Sequence, residues 1–301
     1  MTVRPVTTGA PRRLAKAGRD RLLRRTPGLQ RAIRTLARQG RLPPAVWRRL
    51  HPIGVWTLHA PDGTPFAYDS DFADDALARH IVWTDLGHWE TTTQPVLFAL
   101  ARRAGVFVDV GAYSGIYTVL ACLANPGLQA VACEPNPVKL AQLRSNVRLN
   151  GLEDRVTIVG RALSSASGRA RLTIPADDSR ATLLPADAGT TVEVEVTTGD
   201  ELLGGRPVDL IKIDVEGLEP QVLAGLAGVL ATHRPSIIAE CLDRPALLRA
   251  RTATARFGYH HIYHLDGHGP APVHDPAADP LRCTNYLFRT EPMTGATLEG
   301  H

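Results

Sequence analysis

Short, almost wholly apolar runs alternate with amphipathic stretches through the middle of the chain, a pattern that predicts a parallel sheet wrapped by helices. The run Val106-Phe107-Val108-Asp109-Val110 reads as a strand buried on both faces. Gly111-Ala112-Tyr113-Ser114-Gly115 turns it into an apolar helix that stops at Asn125-Pro126-Gly127. A second strand, Gln129 to Cys133, ends in Glu134-Pro135; Asn136 then caps and Pro137 opens a helix whose Leu140, Leu143, Val147 and Leu149 point inward, and Gly151 closes it. Strand and helix alternating at this pitch mean parallel βαβ units. Further strands are expected at Arg155 to Val159, Val208 to Ile213, Ser236 to Ala239, Tyr259 to Tyr263 and Asn285 to Phe288. Helices are expected from Pro220 to about Leu230 and from Pro245 to Phe257. Arg171 to Ile174 and Thr191 to Thr197 read as an inserted antiparallel excursion. The expected fold is α/β, a mostly parallel seven-stranded sheet with helices on both faces.

Upstream, Val55 to Tyr68 looks like a hairpin turning at Ala60-Pro61-Asp62-Gly63, followed by a helix-compatible stretch from Asp71 to His80. Thr26 to Gly40 predicts a basic amphipathic helix with Leu29, Ile33 and Leu36 on its apolar side. The domain reading is a basic helical segment over 1–50, a lid over 51–95, the main domain over 96–290 and a tail over 291–301.

Charge sharpens that division. Residues 1–50 hold 14 Lys+Arg against one acid, Asp20, so the head carries +13 and the remainder −9 within an overall +4. The head suits contact with an anionic membrane surface or an acidic partner, or packing on its own domain. Its Arg-rich, acid-poor start also resembles a transit peptide, but its Pro and Gly and its Ala/Arg richness read as a GC-rich bacterial coding sequence. The four cysteines, Cys122, Cys133, Cys241 and Cys283, form no C-x-x-C pair and fit a reducing compartment. No apolar run approaches the roughly 18 residues of a membrane span, and no apolar signal stretch opens the chain, so a cytoplasmic location is expected.

The strand ends carry the candidate chemistry. Asp109, Glu134, Asp214 and Glu240 stand where open parallel sheets bind ligands. Unpartnered buried carboxylates are costly, so a cationic or polyhydroxylated ligand explains them. A dinucleotide site needs G-x-G-x-x-G, but Tyr113 stands where the middle glycine would approach a pyrophosphate. Asp109 would repel phosphate while suiting an amino group and a sulfonium, and Glu134 suits two ribose hydroxyls. The combination favours S-adenosylmethionine.

Phe107-Val108-Asp109-Val110-Gly111-Ala112-Tyr113-Ser114-Gly115-Ile116-Tyr117-Thr118, then Glu134-Pro135-Asn136-Pro137 with Asn146 and Asn150, then Ile211-Lys212-Ile213-Asp214-Val215-Glu216-Gly217-Leu218-Glu219 resemble the FkbM family of S-adenosylmethionine-dependent methyltransferases. Trp89-Glu90, Ala162-Leu163-Ser164 and Asn285-Tyr286-Leu287-Phe288 extend the likeness over roughly residues 83–290. The resemblance implies a class I methyltransferase (Rossmann-like) sheet and methylation of a hydroxyl on a secondary metabolite, sugar or lipid-like acceptor. It places the cofactor's amino-acid end near Asp109 and the Gly111–Gly115 backbone (Gly111, Ala112, Tyr113, Ser114, Gly115), its ribose on Glu134 beside Pro135, and its adenine near Arg161, Ala162 and Leu163. Glu90 closes that pocket.

Alcohol methylation needs in-line alignment and a group to take the hydroxyl proton. Asp214, Glu216 and Glu240 at the strand-end rim are the catalytic candidates, the first two ranked higher; Glu216 as a helix cap and Asp214 as a loop anchor are the structural alternatives. Hard cations need several oxygen ligands, and spacing assembles no second and third acid around Asp214, so no metal is predicted. His260, His261, His264, His268 and His274 lie on a strand-like segment and read as surface or acceptor-facing residues. Trp56, Trp83 and Trp89 read as packing aromatics, with stacking on an acceptor as the alternative. RNA or other nucleic-acid methylation is the alternative that the basic head prompts, but Ile213-Asp214-Val215-Glu216 is an acidic site that repels phosphate. A small-molecule acceptor is expected.

Overall fold

The computed structural model describes residues 23, 26–72, 75–175, 181–184, 189–265, 267–278 and 284–294. Most of the basic head before Thr26, much of the 175–190 insertion and Cys283 lie outside them. The chain divides into two compact units, residues 1–56 with 69–89, and residues 57–68 with 90–301.

The larger unit is built on an eight-stranded sheet. Its strands are β1 (Val106–Val110), β2 (Gln129–Cys133), β3 (Val156–Val159), β4 (Leu210–Ile213), β5 (Ser236–Glu240), β6 (His261–Leu265), β7 (Pro270–Pro272) and β8 (Asn285–Arg289). They lie in the order β7-β6-β8-β5-β4-β1-β2-β3. The five from β3 to β5 are parallel, and β8 runs antiparallel between β5 and β6. This is the class I methyltransferase sheet expected from the sequence, with the three-residue β7 added at one edge. Beyond β1 the chain builds outward through β2 and β3, then returns to β4 on the other side. The crevice for a ligand therefore opens at the carboxyl ends of β1 and β4.

Burial on both faces explains the apolar strands: Phe107, Val108, Ile211, Ile213, Ile237 and Ile238 are fully buried. Each such side chain stabilises the fold by about 1.5–3 kcal/mol. Strand β6 shows how apolar pattern misleads, since it starts at His261, two residues after the expected Tyr259. Tyr259 is buried as a plug whose hydroxyl donates to the Pro235 carbonyl at 2.7 Å, which gives it a strand-like apolar signature without strand pairing.

The helix Pro137–Leu149 begins as predicted, with Asn136 Oδ1 accepting from the Val138 N–H. Leu143 and Val147 are buried, but Leu149 is exposed, against the sequence expectation. The helix instead buries a polar stripe. Lys139 lies over the Tyr113 ring at 4.4 Å, Gln142 donates to Tyr68 Oη, and Asn146 donates to the Ser114 carbonyl at 2.7 Å. Asn150 grips the Ala67 backbone through both N–H and C=O, each at 2.8 Å. The expected excursion is a three-stranded sheet, Ala162–Leu163 and Gly168–Ile174 on either side of Thr190–Thr197.

In the smaller unit the helix Pro27–Arg38 buries Gln30, Ile33 and Ala37 rather than the predicted Leu29, Ile33 and Leu36 face. The face rotates because Arg34 and Arg38 both reach Asp85, at 3.2 and 3.3 Å. Asp75 caps the helix Ala76–Thr84 by accepting from the Ala78 N–H. Trp83 is fully buried, donates to the Leu50 carbonyl at 2.8 Å and meets Trp56 edge-on, so these two aromatics pack on each other. Among the described residues no helix is long and apolar enough to cross a membrane.

Candidate active site

The turn after β1 is held by backbone. Gly111 and Ala112 both donate to the Cys133 carbonyl at 3.0 Å, tying the turn to the end of β2. Gly111 takes φ +79°, and a Cβ there would lie 1.9 Å from the Asp214 carbonyl, so the turn and the end of β4 touch main chain to main chain. Gly115, also left-handed, sits against Leu143. Glu134 then receives the Tyr113 N–H on Oε2 at 2.8 Å and the Asn136 N–H on Oε1 at 2.7 Å. Two charge-assisted bonds lock this nearly buried carboxylate beside the turn. Ser114 Oγ is buried with no hydrogen-bond partner among the described residues. An unsatisfied buried hydroxyl costs about 1–3 kcal/mol, and a ligand's polar group at this turn would remove that cost.

Behind the turn lies a charged knot around Lys212, a residue to which the sequence pattern assigned no role. Lys212 is the one charged residue in β4; it is almost fully buried and contacts Asp214 Oδ2 at 2.7 Å. Its register partner across the sheet is Asp109, and its ammonium lies over the Tyr117 ring at 4.9 Å. Burial alone would discharge Lys212, but the carboxylates of Asp214, Glu90 and Asp109 more than offset it, and its pKa is raised. Asp109 accepts from Thr118 Oγ1 at 2.6 Å; burial pushes its carboxyl up to about 6, against the opposing pull of Thr118 and Lys212. Glu90 accepts from the Tyr117 hydroxyl, and burial raises its pKa despite Lys212. Tyr117, buried and facing that acid, keeps its proton. A lone Lys within Leu210-Ile211-Lys212-Ile213 was the available signal, because a buried ammonium demands acids around it.

The three catalytic candidates converge. Carboxylate oxygens of Asp214, Glu216 and Glu240 lie within 4.8 Å of one another, all three residues half-buried, at the ends of β4 and β5. Spacing could not show this, because Glu240 arrives from the neighbouring strand. Like charges cannot all ionise at such separation. Burial first, then Asp214 and Glu216, push Glu240 up to about 9, so it carries a proton at neutral pH and bonds to Asp214.

The remaining predicted residues are placed as follows. Arg161 is exposed and ion-pairs with Glu195 at 2.9 Å. Ala162 and Leu163 are buried and pair with Val196 and Thr197, Leu163 packing into the main core. Pro135 is half-buried, next to Glu134. His264 is buried and stacks on Tyr286. Among the described residues the histidines form no group of three or more potential metal ligands.

The model of the methyltransferase FkbM domain matches residues 109–260. The 31-O-demethyl-FK506 methyltransferase FkbM of Streptomyces tacrolimicus is 27% identical over 224 residues, which is 63% of this chain and 82% of that one. Methyltransferase sdnD of Sordaria araneosa is 29% identical over 153 residues, 40% of this chain and 59% of its own. The crystal structure of methyltransferase FkbM from Methylobacillus flagellatus aligns with 18% identity and a TM-score of 0.47, over 72% of this chain and 56% of that chain. The matched residues, 109–260, include Asp109, the Gly111 turn, Glu134, the Asp214–Glu219 block and Glu240, and the chain belongs to the FkbM family of S-adenosylmethionine-dependent methyltransferases.

Proposed function

We propose that the chain methylates a hydroxyl oxygen of a small molecule, a secondary metabolite, sugar or lipid-like compound. The convergence of Asp214, Glu216 and Glu240 beside the Gly111 turn carries this reading. A cluster of acids suits a neutral hydroxyl that must lose its proton, and it disfavours phosphate-bearing acceptors. The Streptomyces tacrolimicus relative is named for a 31-O-demethyl substrate, which is in keeping with transfer to oxygen.

S-adenosylmethionine supplies a methyl group activated by a positive sulfur. In this reading Glu134 takes the ribose hydroxyls, since each carboxylate oxygen can accept a further bond beyond the backbone N–H it already holds. The Gly111–Gly115 backbone, with Ser114 Oγ, receives the amino-acid end, beside Asp109 and the Glu90–Tyr117 pair. Pro135 and the Arg161-Ala162-Leu163 backbone flank the nucleoside. Asp214 is engaged by Lys212, and Glu240 holds a proton at neutral pH. Glu216, which the left-handed turn after β4 carries into the acid cluster, is the residue we assign as base. It would take the hydroxyl proton as the methyl group passes to oxygen.

The test is calorimetric titration with S-adenosylmethionine, followed by transfer of labelled methyl to a panel of hydroxylated small molecules. Label recovered on nitrogen or carbon would overturn the assignment to oxygen.

A further inference from the structure

The Ile211–Glu219 block ends in an acid to which neither the cofactor nor the base assignment gives a task. We infer that Glu219 is a positioning residue, a latch that holds the turn after β4 in the shape that brings Glu216 to Asp214 and Glu240. This rests on the role proposed above for Glu216.

The turn needs a latch because its backbone is unfavourable. Glu216 takes φ +53° and Gly217 φ +100°. A non-glycine residue in the left-handed region is uncommon and costs about 1 kcal/mol or more. Straightening Glu216 would swing its carboxylate out of the cluster. Glu219 opposes that from inside the turn: a single oxygen, Oε1, accepts the Val215 N–H at 3.2 Å and the Gly217 N–H at 3.1 Å, bracketing Glu216. From outside, Thr182 Oγ1 donates to the Glu216 carbonyl at 3.3 Å. Glu219 is almost fully buried, and its second oxygen, Oε2, is buried with no hydrogen-bond partner among the described residues. That side chain is inaccessible to an acceptor, so its contribution runs through the backbone. Burial raises its pKa, and the backbone N–H groups of Glu219 itself, Gly217 and Val215 oppose the rise.

One acceptor oxygen is all the latch requires. Glu219→Gln keeps that oxygen, whereas Glu219→Ala removes it. We expect Glu219→Ala to speed hydrogen exchange at the Val215 and Gly217 amides by about tenfold or more, the loss of about 1.4 kcal/mol or more of bonding. It should lower kcat by about tenfold or more while S-adenosylmethionine affinity and acceptor KM stay within about twofold. Glu219→Gln should restore protection and most of kcat. In a Glu216→Gln background, adding Glu219→Ala should lower kcat no further. Unchanged amide protection in Glu219→Ala overturns the latch. So does lost protection with undiminished kcat when Glu216→Gln alone is impaired, or a fully additive double variant. If Glu216→Gln is itself unimpaired, the base assignment falls, and positioning of Glu216 for catalysis falls with it. If Glu219→Ala does not fold, Glu219→Met, which fills the space without an acceptor oxygen, takes its place: faster exchange at the two amides supports the latch and unchanged exchange overturns it.

Discussion

Two turns meet at the crest of the sheet and keep their shape by different means. The turn after β1 has glycines at its ends: Gly111 abuts the Asp214 carbonyl, and the N–H groups of Gly111 and Ala112 reach the Cys133 carbonyl. Between them Tyr113 takes φ +52°, and its own N–H is held by Glu134, a residue from the end of the next strand. The turn after β4 carries its left-handed strain on Glu216, a residue with a functional group, and relies on Glu219 to hold it there. Both turns hold a left-handed non-glycine residue with a carboxylate, but Glu134 bonds the N–H of the strained residue itself, whereas Glu219 bonds the two N–H groups on either side of it.

The sharpest way to break this contrast is to put a side chain where the first turn has none. Gly111→Ala should destabilise the fold by about 2–4 kcal/mol, from left-handed strain plus overpacking, and thermal denaturation would show it; an unchanged Tm would mean that the two turns do not touch. Next in size, Glu216→Gln should lower kcat by about 100-fold or more with cofactor affinity unchanged, as expected for a lost general base. Steady-state kinetics with calorimetry separates the two quantities, and a rise in KM alone would move Glu216 to acceptor binding. Glu134→Ala should weaken S-adenosylmethionine binding by about 10- to 100-fold, the value of bonds to a charged acceptor. Unaltered affinity would free Glu134 from the ribose role.

The pH dependence is smaller and its sign is definite. Glu240 binds its proton more tightly in the folded chain, where it titrates at about 9, than at its ordinary value of 4.5. The stability this gives is complete below 4.5 and is lost as pH rises toward 9. Glu240→Gln imitates the protonated acid and should flatten the fall in Tm across that range. Parallel Tm curves for the two proteins would mean that Glu240 is ionised throughout. Least affected of all should be Arg161→Ala: an exposed ion pair contributes within about 0.5 kcal/mol, and the role assigned near the nucleoside belongs to backbone. A large loss of cofactor affinity on its removal would bring the side chain into the site.

Most of the sheet was legible because strands buried on both faces must be apolar, and each ends at a turn signal. Gly111, Glu134, Asp214 and Glu240 all stand at such ends. Polar packing was not legible in the same way. The helix Pro137–Leu149 was read as burying only its apolar side, yet Lys139, Gln142 and Asn146 are buried too, each with a contact far away in sequence. Hydrophobic periodicity carries no information about a polar residue whose burial depends on a distant partner. The same limit hid Lys212 and Glu219, both quoted within the motif and neither given a task.

The sequence by itself determined the fold class, the family and the positions of the strand-end acids, since these follow from local period, turn chemistry and a motif read along one strand at a time. Only the tertiary structure decided which acids act together. Strands adjacent in the sheet are not adjacent in the chain, so Glu240 of β5 meets Asp214 and Glu216 after β4 only when the sheet assembles. The sharing of protons and charge among those acids, with Lys212 beneath them, exists only at the few ångströms that assembly creates.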